Sequence, residues 1–259
     1  MNAILQAWPA FLLVLCRISS FFVAAPVFSS RNVPAMFRIG LAFFVSLLVF
    51  LTLGTDTEVV TDNRYILLVI REVLAGLWLG FVAYLFFAVV QISGGFVDLQ
   101  KGFGLANIID PLTGVASPVV GNLKFMVAIL VFLSIDGHHY LLGAVMDSYR
   151  WLPLENNFFQ NIYGGALTQF LTETFSRTFM MALQIAAPVM VAVFLSDVAT
   201  GLLARTAPQF NVFVLGIPLK ILVGMIVLML VLPGLGVVLR MIFDRMFGAL
   251  REWLVIAGS

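Results

Sequence analysis

Four charged residues stand in or beside long apolar segments of this sequence, where a charge could do chemistry. They are Arg17, Glu72, Asp197 and Lys220. Because a charge at a membrane helix centre costs about 3 kcal/mol on insertion scales, such residues are candidate functional sites. Arg17 and Glu72 are a candidate interhelical ion pair, and Arg71 beside Glu72 leaves an interfacial charge cluster as the alternative. We expect Asp197 at a helix end near the membrane surface, with a proton relay as the alternative.

The two histidines, His138 and His139, are candidate metal ligands. Adjacent helical residues point about 100° apart, so we expect that the pair does not chelate one ion. No other His or Cys stands at metal-ligand spacing from them. The HExxH, GxSxG, Walker and GxGxxG motifs are absent, and no nucleophile has a base near it in sequence. The sequence therefore predicts no metal, no cofactor and no enzymatic activity.

Composition places the chain in a membrane. Its 259 residues are 62% hydrophobic and 10% charged, with a mean hydropathy of +1.09, whereas a soluble domain carries about 25% charged residues. Such a chain must be solvated by lipid or by other apolar proteins. A net charge of +1 gives no reason to expect nucleic acid as a partner.

Six apolar segments must position the charges. A spanning helix needs roughly 20 apolar residues. The second segment is marginal by that standard. The fourth is weak because of Asn122 and Lys124, which predicts a half-span or a helix buried among partners. The sequence predicts an all-α membrane protein with about six apolar helices, some broken or not simply spanning. The segments are Pro9–Ser29, Phe37–Leu53, Ile66–Val90, Val119–Ile135, Thr178–Ser196 and Phe213–Leu235.

Two further helical patterns are present. Gly76 and Gly80 form a GxxxG pair in the third segment, which indicates close helix packing. Near the carboxyl end, apolar residues recur at helical spacing opposite a charged face, which predicts a C-terminal amphipathic helix suited to a membrane surface or a partner subunit. These apolar residues are Leu239, Ile242, Met246, Leu250 and Trp253.

The connection from Gln91 to Asn122 is too apolar for water and too rich in glycine for a regular lipid-facing helix. Non-helical backbone at membrane depth is tolerated only when it is buried in protein or faces a cavity. We therefore expect an apolar, glycine-jointed loop over residues 94–122. It is either a re-entrant loop packed for stability or a gate across a conduit. Asp110 and Pro111 suit the cap and first position of the following helix.

The run RTAPQFNVFVLGIPLK, Arg205–Lys220, joins the last two apolar segments. Pro208 disfavours a helical conformation at the residue before it, and Gln209 and Asn211 add side-chain amides. Lys220 then places a charge inside the next apolar segment. One interpretation is a solvated loop followed by a lysine that snorkels to the surface. The other interpretation is that this run is the sequence signature of a protein family.

Five blocks in order resemble the FliR family, the export-apparatus proteins of flagellar type III secretion. The family's first hairpin and third helix are matched by RISSFFVAAPVFSSRNVPAMFRIGLA and REVLAGLWLGF. The other three blocks are GFGLANIIDP, DGHHYLLGAVMDSYRWLP and the run that ends at Lys220. Together they cover nearly the whole chain, at Arg17–Ala42, Arg71–Phe81, Gly102–Pro111, Asp136–Pro153 and Arg205–Lys220.

The resemblance implies a pore plug in the glycine-rich connection. In the family this segment lies inside the export pore, where apolar side chains close a passage by excluding water. Gly102 and Gly104 would be its hinges, and Asp110 and Pro111 its anchors. The implied plug residues are Gly102, Phe103, Gly104, Leu105, Ala106, Asn107, Ile108, Ile109, Asp110 and Pro111.

The resemblance also implies partners and a location. Residues 1–259 would be one integral export-gate unit, with residues 1–177 resembling FliP and residues 178–259 resembling a FliQ hairpin. Pro208, Gln209, Asn211 and Lys220 would then shape a turn or subunit interface. The implied protein is a multi-pass subunit of the flagellar export gate in the bacterial inner membrane at the basal body. FliP, FliQ, FlhB and other export-apparatus proteins are its implied partners, lipid surrounds it, and flagellar polypeptides are its cargo. A virulence-type III secretion system and a small-solute permease are the alternatives.

Overall fold

Helices make up the described chain. The computed structural model describes residues 2–30, 33–53, 64–101, 118–154, 165–207, 209 and 212–258, and these ranges contain no β-strand. One 3₁₀ turn, Leu232–Gly234, joins the last two helices. The helices within those ranges are α1 (Asn2–Ala24), α2 (Ala35–Leu53), α3 (Arg64–Gln100), α4 (Val119–Ser134), α5 (Gly137–Trp151), α6 (Ala166–Thr206), α7 (Val212–Val231) and α8 (Leu235–Gly258).

All six predicted apolar segments lie mainly on helices, namely α1 to α4, α6 and α7. Within the described ranges, four stretches are long and apolar enough to cross a membrane, and α1 contributes a shorter apolar helix, Trp8–Ala24. The predicted all-α membrane fold, in which some helices do not simply span, is confirmed. The four stretches are Ala35–Thr52, Tyr65–Gln100, Ala166–Thr206 and Val214–Gly258.

The fourth apolar segment lies on a short helix that is followed by a break. α4 ends at Ser134, and just beyond it Asp136 has a φ of 55°, in the left-handed region. α4 has 16 residues, so it is about 24 Å long at 1.5 Å per residue. That is short of the roughly 30 Å of a hydrocarbon core. The segment therefore has the short, broken form that Asn122 and Lys124 predicted.

The helices gather into two compact units, each built from stretches that are separated in the sequence. α3, α6 and α8 contribute residues to both. Unit 1 comprises Met1–Leu85, Asp136–Thr174 and Asp244–Ser259, and unit 2 comprises Phe86–Ile135 and Phe175–Phe243.

In unit 1, the GxxxG pair lets α3 touch α1. A Cβ atom on Gly76 would overlap the carbonyl oxygen of Arg17, and one on Gly80 would lie 2.5 Å from the Cβ of Ala24. Small residues permit this approach because no side chain separates the two backbones. The contact brings the two charged turns of α1 and α3 next to each other.

In unit 2, the predicted loop over residues 94–122 is wrong at both ends. α3 and α4 extend into that stretch, so Gly94, Gly95 and Gly121 are helical. A Cβ atom on Gly94 would overlap the Cα atom of Gly121. Glycine therefore serves a helix crossing here, because it allows the two backbones to meet. Residues 102–117, which include all ten implied plug residues, lie outside the described ranges.

The C-terminal helix places its apolar stripe inside the chain. The predicted amphipathic pattern is present on α8. Its apolar face was expected to contact a membrane surface or a partner subunit, and that expectation is wrong. Its five predicted apolar residues are each at most 2% exposed, while the charged side chains Arg240, Asp244 and Arg251 are exposed. The stripe is buried because the rest of the chain supplies the apolar surface that it needs.

Candidate functional site

A buried ion pair joins α1 to α3 in unit 1. The Nε atom of Arg17 donates to Oε2 of Glu72 at 2.6 Å, and its Nη2 atom donates to Oε1 at 2.9 Å. Both side chains are fully buried. The two parallel bonds form the bidentate arrangement in which arginine binds a carboxylate most strongly. The structure thus brings together the two charges that the sequence offered as an interhelical pair.

The same guanidinium also reaches α5 and the residues that follow it. Arg17 donates through Nη1 to Oγ of Ser148 at 3.0 Å and through Nη2 to the carbonyl oxygen of Leu152 at 2.9 Å. Its Cζ atom lies 4.0 Å from the centre of the Tyr149 ring, a distance at which a cation is attracted to an aromatic face. Arg17 therefore connects three helices, and nothing in the sequence alone pointed to Ser148 or Tyr149.

Arg71 completes this group of charges. It donates to the carbonyl oxygens of Leu154 at 2.6 Å and Pro153 at 2.5 Å, and its Nη1 atom lies 3.6 Å from Oε1 of Glu72. Arg71 is 1% exposed, so the charge cluster that Arg71 and Glu72 were expected to form lies inside the chain, and its position relative to the membrane interface stays a prediction. We call Arg17, Arg71 and Glu72 the arginine cluster.

The arginine cluster satisfies its charges within the chain. Two positive groups share one carboxylate. Other guanidinium donors bind the Ser148 hydroxyl and the carbonyl groups of Leu152, Pro153 and Leu154, and Nε of Arg71 has no hydrogen-bond partner among the described residues. Carbonyl groups at a helix C-terminus carry partial negative charge, which favours a cation there. Each buried charge is paired, as burial requires. The described geometry holds helices together and presents no group positioned for attack on a substrate.

A second group of buried charges lies in unit 2. Asp98, Lys101 and Lys124 are 4%, 0% and 4% exposed, respectively, and we call them the aspartate–lysine cluster. Burial lowers the pKa of the Lys101 ammonium group, and the Asp98 carboxylate acts in the opposite direction. Asp98 and Lys101 were not predicted as site residues. They lie within the expected loop, and their helical spacing of three residues was the available signal.

Lys220 has a partner within unit 2. Its Nζ atom lies 2.6 Å from Oδ1 of Asp197, and the two side chains are 30% and 31% exposed. The sequence predicted no partner for Lys220, and the interpretation of a snorkelling lysine stays a prediction. The expected helix-end position of Asp197 is wrong, because α6 continues to Thr206. This pair links α6 to α7, the two helices of the implied hairpin.

The histidines lie closer together than expected. The ring centres of His138 and His139 are 4.1 Å apart, and together with Asp136 they bring ligand atoms within 4.8 Å of one another. The expectation that the adjacent rings diverge is therefore wrong. Asp136 and His139 are exposed, and exposed groups of this kind are common without an ion.

The predicted turn between α6 and α7 is only partly described. Gln209 is exposed in a turn, whereas Pro208 and Asn211 lie outside the described ranges, as the implied plug residues do.

The geometry so far defines the class of protein: an all-α membrane protein whose buried charges pair with one another to fix its helices.

The sequence comparisons identify the family. Residues 8–246 match the bacterial export proteins, family 1, and the chain belongs to that family. It is 43% identical to the flagellar biosynthetic protein FliR of Bacillus subtilis (strain 168), over 100% of this chain and 99% of the relative. It is 29% identical to FliR of Escherichia coli (strain K12), over 96% and 92%. It is 30% identical to the Yop proteins translocation protein T of Yersinia pestis, over 84% of each chain.

Family membership agrees with the structure. The apolar helices and an export family together point to a multi-pass protein of the bacterial inner membrane. Membership also points to a component of an export apparatus, for which export-apparatus partners are expected. The paired buried charges suit a structural component of that kind.

Proposed function

We propose that this chain is a core subunit of the flagellar type III protein-export gate, in the inner membrane at the flagellar basal body. The observation that carries the proposal is its 43% identity to a flagellar biosynthetic protein over the whole length of both chains. The virulence-type alternative is supported by the 30% identity to the Yop translocation protein, which covers 84% of each chain. FliR of Bacillus subtilis is more similar to this chain than the Yop translocation protein in both identity and coverage.

Cross-complementation tests this choice. We expect the chain to restore swimming to a Bacillus subtilis strain that lacks its own FliR. We expect no restoration of Yop secretion in a Yersinia pestis strain that lacks translocation protein T. The measurements are the swarm diameter in soft agar and the amount of Yop protein in the medium. Secretion without swimming would contradict the flagellar assignment, and an empty vector in each strain is the control.

The permease alternative rested on broken helices and on charges within the apolar segments, and the structure bears on the charges. Arg17 binds Glu72, and Lys220 lies against Asp197. A transport route needs groups that can exchange partners with a passing solute. These charges instead bind one another between helices of this chain. Their geometry therefore favours a scaffold subunit.

Partners and internal organisation form part of the proposal. The gate would contain FliP and FliQ, with FlhB and other export-apparatus proteins associated, and flagellar polypeptides would pass through it. Residues 1–177 would be the FliP-like part and residues 178–259 the FliQ-like hairpin with the C-terminal helix. The Asp197–Lys220 pair supports the hairpin because it joins its two helices. Pro208, Gln209 and Asn211 would form its turn.

The plug proposal has its own test. We propose that Gly102–Pro111 closes the pore, and we expect deletion of Gly102–Asn107 to raise ion leakage through the assembled complex while assembly is retained. The physical reason is that an apolar constriction blocks ions by excluding water. The measurements are the decay of membrane potential in inner-membrane vesicles and the yield of co-purified partners. Deletion of six residues from the acidic connection, Asp56–Thr61, is the matched control. Unchanged leakage in an assembled complex would refute the plug.

A further inference from the structure

The start of α4 is capped by a carboxylate from another helix. Oδ2 of Asp98, in the last turn of α3, accepts hydrogen bonds from the backbone amides of Val120 at 2.9 Å and Gly121 at 3.3 Å. Pro118, at the N-cap position, makes no side-chain cap. The first amides of a helix have no partner within the helix, and an unsatisfied amide in an apolar environment is costly. Asp98 therefore supplies what the local sequence of α4 lacks.

Two buried lysines act electrostatically on this carboxylate. The Lys101 side chain lies against α7, where its Nζ atom is 3.9 Å from the sulfur of Met225. A Cβ atom on Gly224 would lie 2.5 Å from the Cε atom of Lys101, so glycine makes room for the lysine there. Lys124, on α4, interacts electrostatically with both Asp98 and Lys101. The cluster carries two positive charges and one negative charge, beside the positive end of the α4 dipole.

Apolar packing continues on the same crossing. Val97 and Val120, which neighbour Asp98 and Gly121 in sequence, belong to a buried cluster with residues of α6 and α7. Gly94 and Gly121 bring the backbones of α3 and α4 into direct contact. The crossing of α3 and α4 is therefore close-packed. Within the aspartate–lysine cluster, the carboxylate of Asp98 is the one group that offsets the positive charge of the two lysines.

We propose that Asp98 is a positioning residue that clamps the end of α3 onto the start of α4, and that its negative charge is required because Lys101 and Lys124 are buried beside it. Asp98 lies in the last turn of α3 and binds the first turn of α4, so one carboxylate joins the end of one helix to the start of the next. The consequence for export rests on the proposed function above: the clamp sets the two ends from which the candidate plug residues extend. Loss of the charge opens the crossing and, in the assembled gate, raises ion leakage.

Hydrogen exchange tests the clamp independently of export. In the full-length chain in nanodiscs, D98N should accelerate exchange of the Val120 and Gly121 amides by about a hundredfold, because breaking a buried pair leaves uncompensated charge. The triple variant D98N/K101M/K124M removes that charge, and its exchange should return to within about tenfold of the unmodified protein. D147N, in an exposed pair with Arg150, should leave both amides unchanged. Exchange in D98N at the unmodified rate would overturn the clamp. So would a triple variant that exchanges as fast as D98N.

Ion leakage in inner-membrane vesicles separates the clamp from the plug. Faster exchange with greater leakage in D98N supports both. Faster exchange with unchanged leakage supports the clamp and overturns the inference that the crossing controls closure of the pore, and the deletion of Gly102–Asn107 then tests the plug by itself. Unchanged exchange overturns the clamp whatever the leakage, and the deletion of Gly102–Asn107 then tests the plug without it.

Discussion

Replacing Glu72 with glutamine is expected to destabilise the protein by about 3–5 kcal/mol, the range found when one partner of a buried ion pair is removed. Glutamine keeps the shape of the side chain but removes its charge. Arg17 and Arg71, which are 0% and 1% exposed, would then be buried without a counter-charge. We expect a large fall in the midpoint of thermal unfolding of the detergent-solubilised protein, or a loss of folded protein from the membrane.

Two further variants show whether this effect arises from charge. D147N removes the carboxylate charge from an exposed ion pair instead. Asp147 and its partner Arg150 have side chains that are 59% and 83% exposed. Exposed pairs contribute about 0–1 kcal/mol, so the unfolding midpoint should barely move. A variant with Glu72 and Arg17 both replaced by leucine should recover part of the stability, since apolar residues can substitute for a buried pair. An unfolding midpoint of E72Q equal to that of the unmodified protein would contradict the role of the arginine cluster.

Replacing Trp253 with alanine is expected to cost about 3–5 kcal/mol, the usual effect of removing a large aromatic side chain from a core. Trp253 is fully buried on α8. If α8 instead rested its apolar face on lipid or on a partner, the isolated chain would lose little stability. Thermal unfolding of the purified, partner-free chain distinguishes the two situations.

The matched control lies two residues further along α8. Val255 is 47% exposed, and V255A should change stability by no more than about 0.5 kcal/mol, as is usual for surface positions. W253F should fall between the two, because phenylalanine fills most of the space and removes an indole Nε1 that has no hydrogen-bond partner among the described residues. Equal unfolding midpoints for W253A and V255A would show that the apolar stripe is not part of the core.

The secondary structure followed from the sequence wherever apolar segments were long. Apolar length identifies a helix because backbone groups in lipid must bond within their own segment. The same reasoning failed at Gly94, Gly95 and Gly121. Glycine is compatible both with a loop and with a close helix crossing. Only the position of the neighbouring helix distinguishes these alternatives.

The charged sites were predictable in part. Arg17 and Glu72 stood out because opposite charges in apolar segments need partners. Asp98 and Lys101 were overlooked because they lie in a stretch that was expected to be a loop, where a spacing of three residues does not place two side chains on one helix face. Lys220 was noticed, but its partner Asp197 was assigned to a helix end. In each case the residue type was visible in the sequence and the environment was not.

The sequence by itself determined the helices, the membrane character and, through ordered resemblance along the whole chain, the export family. These properties depend on local composition and on motifs that are contiguous in the chain. The tertiary structure alone decided which buried charges meet, because pairing depends on how helices cross. Arg17 reaches residues 55 and 135 positions away. Asp98 caps a helix that begins beyond an intervening connection, and the α8 stripe is covered by its own chain.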